Sequence, residues 1–251
     1  MEHVRSKTPR RTRWTARTGR GISQEIILDA ALELIERHGL ERFSIRELAN
    51  YLHVYPATLY WHLDGGRDSL LAAVLARALS DAAPELSDSD PWHDWLRRLF
   101  FQYREAVRRR PNIAPLIGSQ LVTDAGLKPL ITERVLTVLQ RAGFSGKALV
   151  NAYNAVVAAM VGYVTLELAM EPKDRAANHA TKFRRQLEQL PRDAFPMVAQ
   201  NLDLLFNQAY MLRWQNGVKA PLTGGFETFV EAFVLGMQAL SRRNRQSTGR
   251  S

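Results

Sequence analysis

The chain has 251 residues, 46% of them hydrophobic, and a formal net charge of +9. This is enough apolar material to bury a core in one large domain or two smaller ones, which excludes a wholly disordered protein. The sequence has no cysteine, which excludes disulfides, thiolate metal sites and cysteine nucleophiles and fits a reducing cytoplasm.

Basic residues concentrate at the two ends of the chain. Residues 1–20 hold seven Lys and Arg residues and one Glu, and residues 242–251 hold four Arg and no acid. We predict a disordered basic arm over residues 1–21 and a basic tail over residues 244–251. A basic arm beside a folded domain suits a polyanionic partner, and a solvated tail without a partner is the alternative.

Apolar residues recur at intervals of three and four along nearly the whole chain, which predicts an all-α fold of about ten helices. The first helix is expected over residues 24–38. Ser23 precedes it as a good N-cap, and Gly39 follows it as a residue that commonly ends helices.

Two short helices and a longer one are expected next. Ser44 and Glu47 form a capping box, which predicts a helix over residues 45–51. A helix over residues 56–61 begins with a proline, which the first helical turn tolerates. A fourth helix then carries an apolar face over residues 70–79.

A polar linker over residues 84–91 predicts a boundary between two folded parts. The smaller domain spans residues 22–82 and the larger one spans residues 90–243. The segment 171–196 is polar and holds three prolines, so we expect it to be mobile with one short helix at most. The helices of the larger domain are expected at 92–110, 112–119, 127–142, 147–170, 197–214 and 223–241.

The longest apolar region, residues 148–170, is interrupted by Asn151, Asn154 and Glu167. A membrane-spanning helix needs about 20 largely apolar residues without such interruptions. We therefore interpret this region as a buried interface helix and expect no membrane association.

Residues 44–62 read SIRELANYLHVYPATLYWH, which predicts two short helices joined by a tight break. A helix of seven residues is not stable alone, so its neighbours must hold it and leave one face free. The side chains expected in the shared core are Ile45, Leu48, Ala49, Val54 and Leu59. The free face combines hydroxyls and aromatic rings, which suit contacts to phosphates and base edges. It carries Tyr55, Thr58, Tyr60, Trp61 and His62. An ordinary three-helix core without nucleic acid is the alternative.

Three stretches carry a resemblance to a known family: residues 44–49, residues 54–63 and residues 67–71, which reads RDSLL. Together they resemble the helix-turn-helix DNA-binding domain of the TetR family, most closely the tetracycline-repressor subgroup at Thr58–His62. The resemblance continues more sparsely over residues 90–170. It implies contacts to double-stranded DNA from Arg46, Tyr55, Pro56, Thr58, Tyr60, Trp61, His62 and Arg67.

This sequence departs from the family pattern at two positions. His53 stands where the family usually has a glycine before the valine of the turn. Gly66 stands where tetracycline repressors have a lysine, and Arg67 beside it is expected to take that role. These departures affect single contacts and leave the motif intact.

The resemblance also implies a cytoplasmic, nucleoid-associated repressor that releases a palindromic operator when a small organic molecule binds its C-terminal domain. The repressor would be a homodimer through the helices near 147–170 and 223–241. An architectural DNA-binding protein without a ligand is the main alternative, and an activator is another. An enzyme is the third, but the six histidines are scattered and no nucleotide or hydrolase motif occurs.

The effector pocket is expected between the helices near 92–110, 127–142 and 147–170. The candidate lining residues mix apolar and polar groups and are Leu99, Tyr103, Ile117, Gln120, Val135, Tyr153 and Asn154. Tetracycline repressors hold drug-bound magnesium with a histidine where this chain has Ile117, and an alkyl group cannot ligate a metal. We therefore predict an aromatic or hydrophobic organic ligand and no metal or cofactor.

Overall fold

The computed structural model describes residues 22–63, 65–120, 129–171, 179–210 and 212–248. Within these ranges the chain forms α-helices, one 3₁₀-helix and no strand, which confirms the all-α prediction. The predicted basic arm lies outside the described residues. The helices are α1 (Gln24–His38), α2 (Ile45–Leu52), α3 (Pro56–His62), α4 (Arg67–Ala78), α5 (Trp92–Arg108), the 3₁₀-helix (Pro111–Ile113), α6 (Ala114–Gln120), α7 (Pro129–Arg141), α8 (Gly146–Glu167), α9 (His179–Glu188), α10 (Pro196–Leu205) and α11 (Thr223–Thr248).

Local capping signals set the starts of α1 and α2. The Ser23 hydroxyl accepts a hydrogen bond from the Ile26 backbone N–H at 3.4 Å, and the Ser44 hydroxyl accepts one from the Glu47 N–H at 3.1 Å. Each cap satisfies a backbone donor that the first helical turn leaves without a partner. Helix α1 consequently begins and ends at the predicted residues.

His53 builds the tight break between α2 and α3. It adopts the left-handed conformation, with φ +56° and ψ +41°, and its N–H donates to carbonyls of the preceding turn. The Val54 N–H then donates to the Ala49 carbonyl at 3.0 Å. This conformation costs a non-glycine residue roughly 1–2 kcal/mol. The exposed imidazole adds no clash, so the turn keeps its geometry without a glycine.

A small apolar core holds α3 against α1 and α2. Leu48, Ala49 and Leu59 are fully buried, and Ile45 and Val54 lie partly buried against them, as the sequence predicted. Burial of a leucine side chain stabilises a fold by roughly 1.5–3 kcal/mol. The short helix α3 therefore owes its position to Leu59 and to these neighbours.

Helix α5 is the centre of the C-terminal part and packs against α7, α8 and α11. The Trp95 indole N–H donates to the Glu85 carbonyl at 3.1 Å, and Arg134 of α7 donates to the Ala83 and Pro84 carbonyls. The polar linker of residues 84–91 is therefore fastened to α5 and α7.

Residues at the end of α5 hold the C-terminal ends of α1 and α4. The Arg110 guanidinium donates to the Ala78 carbonyl of α4 at 3.0 Å. The Asn112 amide donates to the Glu36 carbonyl of α1 at 2.8 Å. Both acceptors lie in last helical turns, whose carbonyls lack intrahelical partners. A shift of this part of the chain therefore acts on α4 and on α1, which packs against both α4 and α2.

Two helices near the C-terminus end elsewhere than predicted. Helix α10 ends at Leu205 and not near residue 214, because Asn207 takes a left-handed φ of +61° and accepts hydrogen bonds from two later backbone N–H groups. Helix α11 runs to Thr248, beyond the predicted end at residue 241 and into the predicted tail. Asn244 and Arg245 donate to carbonyls at the end of α7, and these contacts extend the helix.

The predicted mobile segment contains a helix. Within residues 171–196, α9 covers His179–Glu188, and residues 172–178 lie outside the described part. Arg184 pairs with Glu188 at 2.9 Å on the same helix and with Asp203 at 2.5 Å on α10. The two helices thus pack on each other as a hairpin.

Candidate nucleic-acid interface and effector site

Helix α3 presents an aromatic face to solvent. Trp61 is 91% exposed, Tyr55 83% and Tyr60 51%, whereas Leu59 between them is fully buried. Large aromatic side chains normally bury much of their surface, so exposed apolar surface of this size signals a contact partner. The protein's own C-terminal part leaves this face uncovered.

The other predicted DNA-contacting residues surround that face. Arg46 in the first turn of α2, Pro56 at the start of α3 and Arg67 at the start of α4 are exposed. Thr58 and His62 are half-buried, which leaves part of each side chain accessible. The eight predicted residues therefore come from three consecutive helices and from Tyr55, the residue that precedes α3.

Two acidic residues, Glu33 of α1 and Glu47 of α2, are paired with neighbouring side chains. Glu47 contacts the His38 imidazole at 2.6 Å, and Glu33 accepts from the Tyr51 hydroxyl at 2.8 Å and pairs with Arg37. By contrast, neither Arg46 nor Arg67 forms a hydrogen bond or ion pair with a described residue. Free cations beside neutralised acids suit a phosphate backbone.

The predicted effector residues separate into three groups. Leu99, Tyr103, Ile117 and Val135 are buried in the core of the C-terminal part, where burial raises the pKa of Tyr103. Tyr153 is half-buried, and its hydroxyl lies 3.1 Å from the Thr132 hydroxyl.

The third group consists of Asn154, which does not face the core, and Gln120, whose prediction stays untested. Asn154 is exposed, because the inward face of α8 is set by Ala152, Val156 and Met160, and a residue two positions after Ala152 points to the opposite side. Gln120 ends α6, and its side chain lies outside the described residues.

A buried ion cluster joins α5 to α8. The Glu167 carboxylate is fully buried and accepts two hydrogen bonds from Arg104, at 2.7 and 2.6 Å, and one from the Leu222 N–H at 3.0 Å. Arg108 approaches it at 3.4 Å. Burial alone would raise the pKa of Glu167, but the two guanidinium groups and the Leu222 N–H hold it below its ordinary value.

The same cluster fastens the loop that precedes α11. The Gly217 N–H donates to the Glu167 carbonyl at 2.7 Å, and Arg108 donates to the Gly217 carbonyl at 2.7 Å. A Cβ at Gly217 would lie 2.3 Å from the Glu167 Cγ. Only glycine therefore lets the loop approach this closely.

Two cavities flank this loop. The larger, of about 580 Å³, is lined by Tyr163, Gln208, Ala209, Tyr210, Pro221, Leu222, Thr223, Gly224 and Gly225. The smaller, of about 250 Å³, is lined by Pro111, Asn112, Pro115, Leu168, Met170, Glu171, Asn216, Val218 and Lys219. Neither includes a predicted effector residue. Among the described residues, no three His, Asp or Glu side chains cluster in a way that could hold a metal ion.

Comparison with models of known families assigns the chain to one of them. A model of the tetR family of bacterial regulatory proteins matches residues 27–74, and a model of the tetracyclin repressor-like C-terminal domain matches residues 83–213. The matches cover more than half of the chain, which therefore belongs to the TetR family. It is a DNA-binding transcriptional regulator with a helix-turn-helix in α2 and α3.

Its relatives agree with this assignment. The class D tetracycline repressor of Escherichia coli is 27% identical over 217 residues, which cover 85% of this chain and 93% of the relative. Apo ActR from Streptomyces coelicolor shares the fold with a TM-score of 0.69 at 20% identity, over 90% of this chain and 99% of ActR. ActR in complex with actinorhodin superposes with a TM-score of 0.68 at 20% identity, over 87% and 96% of the two chains.

Neither the ion cluster nor the larger cavity was predicted from the sequence. Glu167 was visible as a single acid in an apolar helix, but its partner Arg104 lies 63 residues earlier. Tyr163 and Tyr210 come together only through the course of the loop between α10 and α11. A lone buried charge in an apolar helix is the signal that could have led to the cluster.

Proposed function

We propose that this protein is a ligand-responsive repressor that binds a palindromic operator as a homodimer and leaves it when a small organic molecule binds its C-terminal part. The observation that carries the proposal is the outward aromatic face of α3, held on a buried Leu59 and left free by the rest of the chain. A helix presented in this way fits the major groove of DNA, which is roughly 12 Å wide.

The predicted DNA-contacting residues, called the reading face below, have two roles. Tyr55, Thr58 and His62, together with Trp61, contact base edges and sugar–phosphate groups in the groove. Tyr60 and the cations Arg46 and Arg67 bind phosphates and fix the position of the helix. The basic arm over residues 1–21 adds contacts to the DNA backbone.

The homodimer forms through α8 and α11. Among the described helices, α8 is long and apolar enough to cross a membrane by length and composition alone, yet most of it is not buried by its own chain. Leu166 of α8 is 60% exposed, and Leu235 and Leu240 of α11 are 53% and 47% exposed. A second copy covers these faces in a four-helix bundle about a two-fold axis. Such a dimer sets two copies of α3 at the 34–36 Å of one DNA turn.

The effector acts by shifting a population. A ligand that prefers a different spacing of the two α3 helices lowers the affinity for DNA without any catalysis. The relatives named above include tetracycline repressors and a regulator crystallised with actinorhodin. Ile117 stands where tetracycline repressors have a magnesium-ligating histidine, and it is buried and cannot ligate a metal, so the effector is an organic molecule that is not held through magnesium in that manner. The protein acts in the cytoplasm at the nucleoid.

A double variant tests the reading face. Arg46→Ala with Tyr60→Ala should weaken binding to DNA enriched by the wild-type protein at least about thirtyfold, since each lost contact is worth roughly 1 kcal/mol or more. Arg185→Ala, an exposed arginine of α9, is the charge-matched control and should change the affinity less than about twofold. Sedimentation should give the same dimer for all three proteins. Unchanged DNA affinity in the double variant would refute the assignment.

A further inference from the structure

The larger cavity has the size and walls of a small-molecule site. Its volume of about 580 Å³ lies within the range of such sites, roughly 300–1,000 Å³. The Tyr163 and Tyr210 rings meet edge to face with centroids 5.9 Å apart, and Tyr163 stacks on Phe229 at 4.9 Å. Tyr210 is 36% exposed, so part of this aromatic residue is accessible from the cavity side of the fold.

Two successive glycines keep the cavity open. Neither Gly224 nor Gly225 has a positive φ, so the backbone of α11 would accept other residues there. Glycine also weakens a helix relative to alanine. A Cβ on Gly224 would meet nothing within 4 Å, and one on Gly225 would come within 3.0 Å of the Tyr163 hydroxyl. Gly224 therefore borders open space, and Gly225 lets the start of α11 approach the Tyr163 hydroxyl closely.

The surroundings of the cavity are positive. Glu167, whose carboxylate bonds the Leu222 N–H of the wall, is outnumbered by Arg104 and Arg108. Arg213 follows Tyr210 in the same loop and donates to two backbone carbonyls, while its Nη1 is buried without a partner among the described residues. Burial raises the pKa of Tyr163 and the Glu167 charge adds to that rise, whereas the hydrogen bond with Tyr210 and the charges of Arg104 and Arg213 oppose it. Three guanidinium groups against one carboxylate favour an anion.

We propose that this cavity is the effector site and that its ligand is a flat aromatic anion, stacked on Tyr210 with its acidic group in the field of Arg213. That the bound molecule is an effector rests on the proposed function. Binding of a ligand in the cavity can be tested without DNA. The cavity replaces the site predicted from the sequence, whose residues are largely buried in the core.

The cavity wall is mechanically connected to the DNA-binding part. Leu222 and Gly217 are held by Glu167 and Arg108. Arg108 ends α5, and Arg110, two residues later, donates to the end of α4. A ligand that displaces the wall therefore acts on the same residues that hold α1 and α4.

Two fluorescent probes of similar aromatic framework test the proposal on the full-length protein: anionic anilinonaphthalenesulfonate and neutral phenylnaphthylamine. The wild-type protein should bind the anion at least about tenfold more tightly. Gly224→Phe should weaken both probes at least about tenfold. Gly118→Phe is the matched control, because Gly118 is an exposed helix glycine with open space around its Cβ, and it should change neither affinity.

Variants of Arg213 distinguish a role of its charge in ligand binding from a purely structural role. Arg213→Met should lower the affinity for the anion about tenfold while leaving the neutral probe within about twofold. Arg213→Lys should restore the ratio of the two affinities, since it keeps the charge. A purely structural role would weaken both probes equally.

Three results would overturn the proposal: equal affinities of the two probes for the wild-type protein, no effect of Gly224→Phe, or conversion of the dimer to a monomer by Gly224→Phe, which would make the cavity a subunit contact. DNA affinity is measured separately. Loss of DNA binding with the probe pattern intact counts against the proposed function alone, and the reverse counts against the cavity alone.

Discussion

Glu36 lies in the last turn of α1, at the contact with the residues that follow α5. Burial raises the pKa of its carboxyl group to about 7, although the nearby Arg110 guanidinium opposes the rise. Its Oε1 is buried and has no hydrogen-bond partner among the described residues. A carboxyl group in such a place resists ionisation, and this makes the contact between α1 and Arg110 sensitive to pH.

The ionisation of Glu36 should lower stability as the pH rises. Its folded-state pKa lies above the ordinary value of 4.5, so between these pH values the folded state keeps a proton that the unfolded state has lost. The free energy of unfolding should fall by about 1–2 kcal/mol between about pH 5 and pH 8, after allowance for solvent screening. Glu36→Gln should lack this decrease in urea titrations. If the free energies of unfolding of the wild-type protein and Glu36→Gln changed in parallel with pH, the raised pKa of Glu36 would be contradicted.

Residue-level predictions succeeded where a local motif decides them. The exposure of Tyr55, Tyr60 and Trp61 follows from the position of Leu59 on a seven-residue helix, and all four could be placed from the sequence. Asn154 could not, because the inward face of α8 is chosen by the helices that pack on it. Cavity-lining residues depend on distant segments and therefore escape sequence periodicity.

At the scale of elements, Glu167 joins α5, α8 and the loop before α11. Glu167→Ala leaves Arg104 and Arg108 without their shared acceptor, and Arg104 is itself buried. Removing one member of a buried ion cluster costs roughly 3–5 kcal/mol, so the free energy of unfolding should fall by that amount in urea denaturation.

A neighbouring acid supplies the control. Glu171 is half-buried, pairs with the exposed Lys219 at 2.6 Å and accepts a hydrogen bond from the Asn216 N–H at 2.9 Å, so Glu171→Ala should cost about 1–2 kcal/mol. Equal losses in the two variants would mean that the Glu167 cluster contributes no more than this partly exposed pair.

Helix ends were predictable where capping residues set them. Ser23 and Gly39 delimit α1, and both are readable in the sequence. The ends of α10 and α11 were not, because Asn207 adopts its left-handed conformation within a folded loop and Asn244 packs on the end of α7. At α11 a contact across about a hundred residues overrides local propensity, and at α10 hydrogen bonds within the folded loop do so.

At the scale of the whole molecule, the chain combines a free reading face with apolar helix faces that its own residues leave uncovered. Exposed leucines on α11 and the largely unburied α8 support the homodimer proposed above. In such a dimer, two-fold symmetry ties the spacing of the two α3 helices to any change in the C-terminal parts. On this proposal, DNA recognition and effector response are two consequences of one symmetric assembly.

Selection of bound DNA from a random pool by the full-length protein tests the central claim most directly. A dimer that reads DNA through two copies of α3 should enrich a palindrome whose half-site centres lie about 10 base pairs apart, or a multiple of that spacing. Arg46→Ala with Tyr60→Ala should fail to enrich it. Enrichment of asymmetric sites, or of no sequence at low salt, would contradict the account.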